Sequence, residues 1–73
     1  MVKKVSESPG YKIVGIKSLH VDGLNVVYME DRNGGTNTLS FENGNPFLQE
    51  CRRILSDPEE NNKYQIRIKK YKR

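Results

Sequence analysis

Side chains that commonly carry catalysis are few and far apart in this sequence. The single histidine, His20, stands beside an Asp-Gly pair typical of a tight turn, and the single cysteine, Cys51, falls on a different predicted element. Nucleophilic catalysis requires a nucleophile, a base and an orienting group within hydrogen-bonding distance. The adjacent carboxylates Glu30 and Asp31 would project to opposite faces of a strand, unlike the paired acids of a glycosidase. We therefore expect a protein without enzymatic activity and without a small-molecule substrate.

Metal and cofactor sites also lack the residues that they require. A structural zinc site takes four Cys, His or carboxylate ligands at short, regular spacings, whereas this chain has one Cys and one His. The pair Gly34-Gly35 is typical of a turn and not of a phosphate-binding loop, because no helix with a Lys-Ser or Lys-Thr pair follows it. The sequence thus predicts neither a metal nor a cofactor.

Positive charge is concentrated near the C-terminal end of the sequence. Thirteen Lys and Arg residues against nine Asp and Glu give a net charge of +4, and six of the thirteen lie in the last eleven residues. Cationic side chains can follow a phosphate backbone while an aromatic side chain stacks on a base. The residues predicted to contact nucleic acid are Lys63, Arg67, Lys69, Lys70, Tyr71, Lys72 and Arg73.

Two other interpretations of this basic segment stay open. Charged side chains on a final strand protect a sheet edge against aggregation, and a basic surface also suits an acidic protein partner. If the final strand lies beside the first, Lys12 and Lys17 on that strand widen the basic patch, as do Arg52 and Arg53 on the helix. The sequence distinguishes neither DNA from RNA nor single strands from duplexes.

A hairpin over Leu24 to Phe41 organises the elements that must position these residues. Asn33-Gly34 between two alternating runs is a strong hairpin signal, because a type I′ turn requires positive φ at both central residues. A two-residue turn there places Tyr28 opposite Leu39 and Val26 opposite Phe41. The residues predicted to share the core face are Leu24, Val26, Tyr28, Leu39 and Phe41.

A first strand over Tyr11 to Val21 precedes this hairpin. It connects through Asp22-Gly23, a second turn signal of the same kind, which places Leu19 and Val21 on the same core face. Gly15 inside this strand marks a candidate β-bulge. The agreement of the two turns predicts a three-stranded antiparallel meander.

The same register leaves a second apolar group on the opposite face of the sheet. Its members are Val14, Ile16, Val27 and Met29. Curling of the sheet into a partial barrel, or coverage by the N-terminal residues, would bury this group. An exposed group would instead form a surface for a protein partner or a second copy of the chain. Both alternatives stay open.

A helix and a last strand complete the predicted α+β fold. Asn45 is the expected N-cap and Pro46 the first helical residue, and the stripe that faces the sheet is Phe47, Leu48, Cys51, Ile54 and Leu55. The helix ends near Ser56, with one more helical turn begun at Asp57 and Pro58 as a further option. A strand from Lys63 to about Tyr71 then lies beside the first strand, in the order 3-2-1-4 and parallel to it.

The chain is expected to form one domain. We assign residues 1–10 to a flexible arm, residues 11–71 to a single domain of order β-β-β-α-β, and residues 72–73 to a basic tail. The single cysteine favours a reducing compartment, the first residues lack the apolar region of a signal peptide, and no run is long enough to cross a bilayer. We expect a cytoplasmic protein without membrane contact.

These observations favour a small non-enzymatic protein that binds nucleic acid through its basic final strand and tail. The alternative is a protein-interaction module that uses the second apolar face or the edge of the third strand. The chain is short and rich in Lys and Asn, which is typical of accessory proteins of phages and mobile elements. Under this alternative, the protein modulates a host enzyme.

Overall fold

A computed structural model describes residues 10–19 and 23–68. The chain forms three strands, β1 (Gly10–Ser18), β2 (Leu24–Asp31) and β3 (Thr36–Glu42), followed by helices α1 (Pro46–Leu55) and α2 (Pro58–Asn61) and the short strand β4 (Ile66–Arg67). The four strands form one antiparallel sheet in the order β3-β2-β1-β4. This architecture confirms the predicted α+β fold, its element order and its strand order.

The turn between β2 and β3 is longer by one residue than the sequence predicts. Glu30 pairs with Thr36, the Asp31 backbone N–H donates to the carbonyl of Gly35 at 2.8 Å, and Gly34 has φ +87°. The Asp31 carboxylate accepts from the backbone N–H groups of Asn33 and Gly35 at 2.8 and 2.7 Å. This carboxylate cap and the left-handed Gly34 stabilise a three-residue loop, so the predicted two-residue turn is wrong.

A register shift of one residue reverses the faces of β2. Val27 pairs with Leu39, and Val27 and Met29 are 0% and 1% exposed. They therefore belong to the core, and the predicted assignment of Leu24, Val26 and Tyr28 to that face is wrong. We call the core side of the sheet the inner face and the opposite side the outer face.

Strand β1 contains the predicted bulge. Its register with β2 shifts between Ile13, which pairs with Met29, and Gly15, which pairs with Tyr28. The bulge leaves Val14 54% exposed on the outer face, while Ile16 packs against the core. Leu19 is 37% exposed, so its predicted place in the core is wrong; Val21 lies outside the described residues.

Helix α1 covers the inner face as the sequence predicts. The Asn45 side chain caps the helix by accepting from the backbone N–H of Phe47 at 2.8 Å, and Pro46 is the first helical residue. Asp57 caps the single turn of α2 in the same way through the N–H of Glu60. The core consists of Tyr11, Ile13, Val27, Met29, Leu39, Phe41, Leu48, Cys51, Ile54 and Ile66.

The final strand differs most from the prediction. Its described ladder contains two pairs, Gly10 with Arg67 and Tyr11 with Ile66, and it is antiparallel to β1. Lys63 lies in a turn and Tyr64 has φ 55°, so the predicted start of the strand at Lys63 is wrong. The antiparallel pairing shows that the predicted parallel direction is also wrong. Asn61 at the end of α2 bonds to Ile13, so the chain enters the sheet edge beside Ile13 and runs from there toward Gly10, antiparallel to β1.

A buried side chain extends this short ladder. The Asn61 amide oxygen accepts from the Ile13 backbone N–H at 2.7 Å, and its amide nitrogen donates to the Ile13 carbonyl at 2.8 Å. Asn61 is 8% exposed. Its amide thus replaces a strand residue beside the bulge of β1, where the backbone groups would otherwise be buried without partners.

We predict that Asn61→Leu destabilises the fold by about 2–4 kcal/mol, because leucine leaves both Ile13 backbone groups buried and unsatisfied. Urea denaturation measures this change. The control is Asn62→Leu at the exposed neighbouring position, where we expect a change within about 0.5 kcal/mol. Equal stability of the two variants would show that the paired amide contributes nothing.

Candidate functional site

The ends of three strands meet on one side of the molecule. Gly10, the first residue of β1, pairs with Arg67 of β4, and Tyr11 pairs with Asp31, the last residue of β2. The loop that follows β2 also meets the turn that precedes β4, because the Arg32 guanidinium donates to the Lys63 carbonyl at 3.5 Å. We call the four cationic residues gathered there, together with Tyr64, the basic pole: Lys12, Arg32, Lys63, Tyr64 and Arg67.

Three cations approach Tyr64 from three different elements. The guanidinium carbon of Arg32 lies 4.4 Å from the centroid of the ring, and the Lys12 ammonium lies 5.7 Å from it. Arg67 donates through Nη1 to the Tyr64 carbonyl at 3.3 Å. Cation–π attraction to the ring therefore holds like charges close together without a carboxylate between them.

The backbone of Tyr64 has a strained conformation. Its φ of 55° lies in the left-handed region, and among the described residues other than glycine no second residue has a positive φ. A tyrosine there costs roughly 1–2 kcal/mol. Gly10 passes so close that a Cβ at this position would overlap the Tyr64 carbonyl oxygen and the Arg67 guanidinium. The pole thus requires both a glycine and a strained tyrosine.

The nearby carboxylates are mostly engaged in the fold. Asp31 caps its own loop, and Glu60 accepts from Gln65 and lies 3.7 Å from the Lys63 ammonium. Glu30 pairs with Lys12 in the ladder, but the distance between their charges exceeds that of an ion pair. Among the described residues, Lys12, Arg32 and Arg67 form no ion pair with a carboxylate.

The net charge of the protein comes from residues that join the fold at this pole. The described ranges contain seven Lys and Arg and seven Asp and Glu, so they are neutral overall. The basic segment at residues 69–73 follows Ile68 directly, one residue after Arg67.

The structure brings two of the residues predicted to contact nucleic acid into this site. Lys63 and Arg67 belong to the pole. The other five, Lys69, Lys70, Tyr71, Lys72 and Arg73, lie outside the described residues. Arg32 and Tyr64 were not predicted, because Tyr64 alternates with the apolar residues of the expected strand and nothing in the local pattern of Arg32 indicates a site.

The predicted apolar partner face does not exist as one surface. Val27 and Met29 lie in the core, Ile16 packs against that core, and Val14 alone of the four is exposed on the outer face. Arg52 also points elsewhere than the pole, since its guanidinium lies 3.4 Å from the Asn25 side-chain oxygen on the inner face. The register shift in β2 places Val27 and Met29 on the inner face and so separates them from Val14.

The described residues offer little for catalysis or metal binding. Cys51 is fully buried, and this desolvation, with a smaller effect from the neighbouring Glu50, raises the pKa of its thiol to about 11. No cluster of three or more His, Cys, Asp or Glu side chains arranged for a metal occurs within the described ranges. His20 lies outside them.

No family model, curated protein or solved structure matches this chain. Within residues 10–19 and 23–68 no helix is both long and apolar enough to span a bilayer. Function must therefore be argued from the geometry of the basic pole and of the sheet.

We predict that Cys51 reacts slowly with disulfide reagents while the chain is folded. Its raised pKa lowers the thiolate fraction at pH 8 about 100-fold relative to an ordinary cysteine, and burial adds a further barrier. Reaction with a chromogenic disulfide at pH 8, with and without urea, measures this protection. Equally fast reaction in both conditions would contradict it.

The raised pKa of Cys51 makes the stability of the fold depend on pH. The unfolded thiol ionises near its ordinary pKa of 9.0, whereas the folded thiol stays protonated up to about pH 11. The contribution of Cys51 to stability is therefore complete below pH 9 and is lost as the pH rises toward 11. Cys51→Ala is the control, since it lacks this component of the pH dependence.

Proposed function

We propose that this protein is a non-enzymatic nucleic-acid-binding protein whose phosphate contacts are centred on the basic pole. The observation that supports this proposal is the convergence of Lys12, Arg32 and Arg67 on Tyr64. Three separate elements supply these cations, and none of the three is neutralised by a carboxylate among the described residues. A phosphate backbone supplies the negative charge that this arrangement lacks.

The chemistry of the side chains fits a phosphate ligand. Arg32 and Arg67 are exposed, and a guanidinium presents a planar fork of donors that matches two oxygens of one phosphate. Binding a polyanion also releases its condensed counterions, which favours several weak contacts over one strong contact. A cluster of exposed arginines and lysines is suited to that mode of binding.

The basic segment extends the same surface. Lys69, Lys70, Lys72 and Arg73 are proposed to contact further phosphates along the strand, with Tyr71 as an additional stacking group. Because this segment begins beside Arg67, the pole and the segment bind one continuous stretch of nucleic acid.

We predict that the double variant Arg32→Gln/Arg67→Gln binds nucleic acid more weakly than the unmodified protein. On duplex DNA, the slope of log K against log salt should decrease by about 0.9 for each phosphate that the variant no longer neutralises. Fluorescence anisotropy of labelled oligonucleotides at several salt concentrations measures both quantities.

The matched control for this variant is Arg53→Gln, which removes a positive charge from the exposed side of α1. We expect it to retain the unmodified affinity and salt slope almost completely. A loss of binding free energy in the control at least half as large as in the double variant, which removes two charges against one, would indicate a general effect of net charge and would reject the basic pole as the contact site.

We further predict that neutralising Lys69, Lys70 and Lys72 together weakens binding without changing the stability of the fold, because these residues lie beyond the described core. On duplex DNA the salt slope should again decrease by about 0.9 for each phosphate that is left without its lysine. The unfolding midpoint in urea is the parallel readout. A salt slope equal to that of the unmodified protein would remove this segment from the interface.

A further inference from the structure

The outer face of the sheet carries apolar side chains that neither helix covers. Val14 is 54% exposed, Tyr28 38% and Leu19 37%, while α1 packs on the inner face. Leu24 and Val26 share this side of β2 with Tyr28 and are half-buried. One of these exposed groups is the aromatic ring of Tyr28, and an aromatic ring on a sheet surface is suited to stacking on a flat ligand.

Tyr28 occupies the middle of this face beside an open space. Its partner on β1 is Gly15, and its partner on β3 is the exposed Thr38. A Cβ added at Gly15 would have no heavy atom within 4 Å. One side of the tyrosine ring therefore faces a gap of the kind that a flat aromatic ligand can fill.

Cations and hydroxyl groups surround the ring in two rows. On β1, Lys12 pairs with Glu30 and Lys17 with Val26, two positions from Tyr28 in each direction, which corresponds to diagonal separations of roughly 7–8 Å. On β3, the exposed residues Thr36, Thr38 and Ser40 lie along the other side of β2. The acidic residues of this face are Glu30 and Glu42, against the cations Lys12, Lys17 and Arg67.

We propose that the outer face binds single-stranded nucleic acid, with a base stacked on Tyr28 over Gly15 and the phosphates following Lys12 and Lys17 toward the basic pole. This inference rests on the proposed function and specifies its ligand. The bases of a duplex are stacked on one another and do not reach a flat sheet, whereas a single strand turns its bases outward. The hydroxyl row of β3 is placed to hydrogen-bond the edges of those bases.

The arrangement favours a nucleic acid over a second copy of the chain. The apolar residues do not form a continuous patch, because Lys12 and Lys17 interrupt them along β1. A second copy on this face would bury Lys17, whose ladder partner is Val26, and burial of an ammonium without a partner is strongly unfavourable. A nucleic acid supplies a phosphate for each lysine and an aromatic surface for the ring.

The first test uses the absence of tryptophan from the chain. Tyr28→Trp introduces a single indole at the proposed stacking position, and its emission should be quenched when a single-stranded oligonucleotide binds. The control is Gln49→Trp, which places the indole on the exposed side of α1 and should respond less. Unchanged emission of the indole at position 28 under saturating oligonucleotide would overturn the proposal.

The second test compares affinities. Tyr28→Leu should weaken single-strand binding about 5- to 100-fold, the usual effect of removing one base stack, and should leave duplex binding unchanged. Tyr28→Phe retains the ring and should bind within about twofold of the unmodified protein. Gly15→Val fills the gap beside an intact tyrosine and should also weaken single-strand binding, so the test does not depend on the folding of one variant.

The outcomes separate this inference from the proposed function. If the unmodified protein binds no nucleic acid at low salt, the proposed function fails. If binding weakens in Arg32→Gln/Arg67→Gln but is unchanged in Tyr28→Leu and Gly15→Val, the basic pole stands and the outer-face site is wrong. A dimer in sedimentation that dissociates in Tyr28→Leu, with single-strand affinity unchanged, would assign the face to self-association and also overturn the inference.

Discussion

The paired hydrogen bonds between the Asn61 amide and the Ile13 backbone hold together the two halves of this small domain. Strand β4 has only two described pairs with β1, and the bulge beside Ile13 interrupts the regular ladder on the other side. Asn61 satisfies both backbone groups from the end of α2. It thereby fixes α2 against the sheet and positions Tyr64, three residues later, at the basic pole. The pair between Gly10 and Arg67 then completes the placement of the pole.

A second buried asparagine stabilises the opposite end of the sheet. Asn25 is 1% exposed, and its side chain accepts from Ser18 Oγ and donates to the carbonyl of Gly23 and the Asn43 side chain. A buried polar side chain is tolerated because its partners are present, and among the described residues no buried side-chain N or O atom lacks one. These bonds join both hairpin ends, and they fix the register of β2 with a polar residue on the inner face.

Asn25, a polar residue on the inner face, helps to explain why the order of the elements was predicted correctly but β2 was assigned to the wrong face. Apolar residues occupy both sides of this strand, so alternation alone does not choose between Val26 with Tyr28 and Val27 with Met29. The prediction therefore rested on the Asn33-Gly34 signal, which favours a two-residue turn. The Asp31 carboxylate caps a longer loop through hydrogen bonds that form only in the folded chain. The helix, with its N-cap and one apolar stripe, had no such ambiguity and was predicted correctly. The basic pole followed the same division: Lys63 and Arg67 were chosen for their charge, whereas Arg32 and Tyr64 lie far apart in the sequence and meet only in the folded chain.

The short ladder of β4 also has a consequence for the dynamics of the protein. Among the described residues, this segment is joined to β1 by two strand pairs and one side-chain amide, fewer bonds than the three-stranded meander has, so we expect its described amide protons to exchange with solvent through local openings instead of global unfolding. Such an opening would carry Arg67 away from Lys12 and Arg32. A ligand that bridges these residues binds only the closed form, and by mass action it raises the free energy of opening as its concentration exceeds the dissociation constant. Occupancy of the basic pole is thus linked to the rigidity of the segment from α2 to β4, and slowed hydrogen exchange in that segment would report a bound ligand.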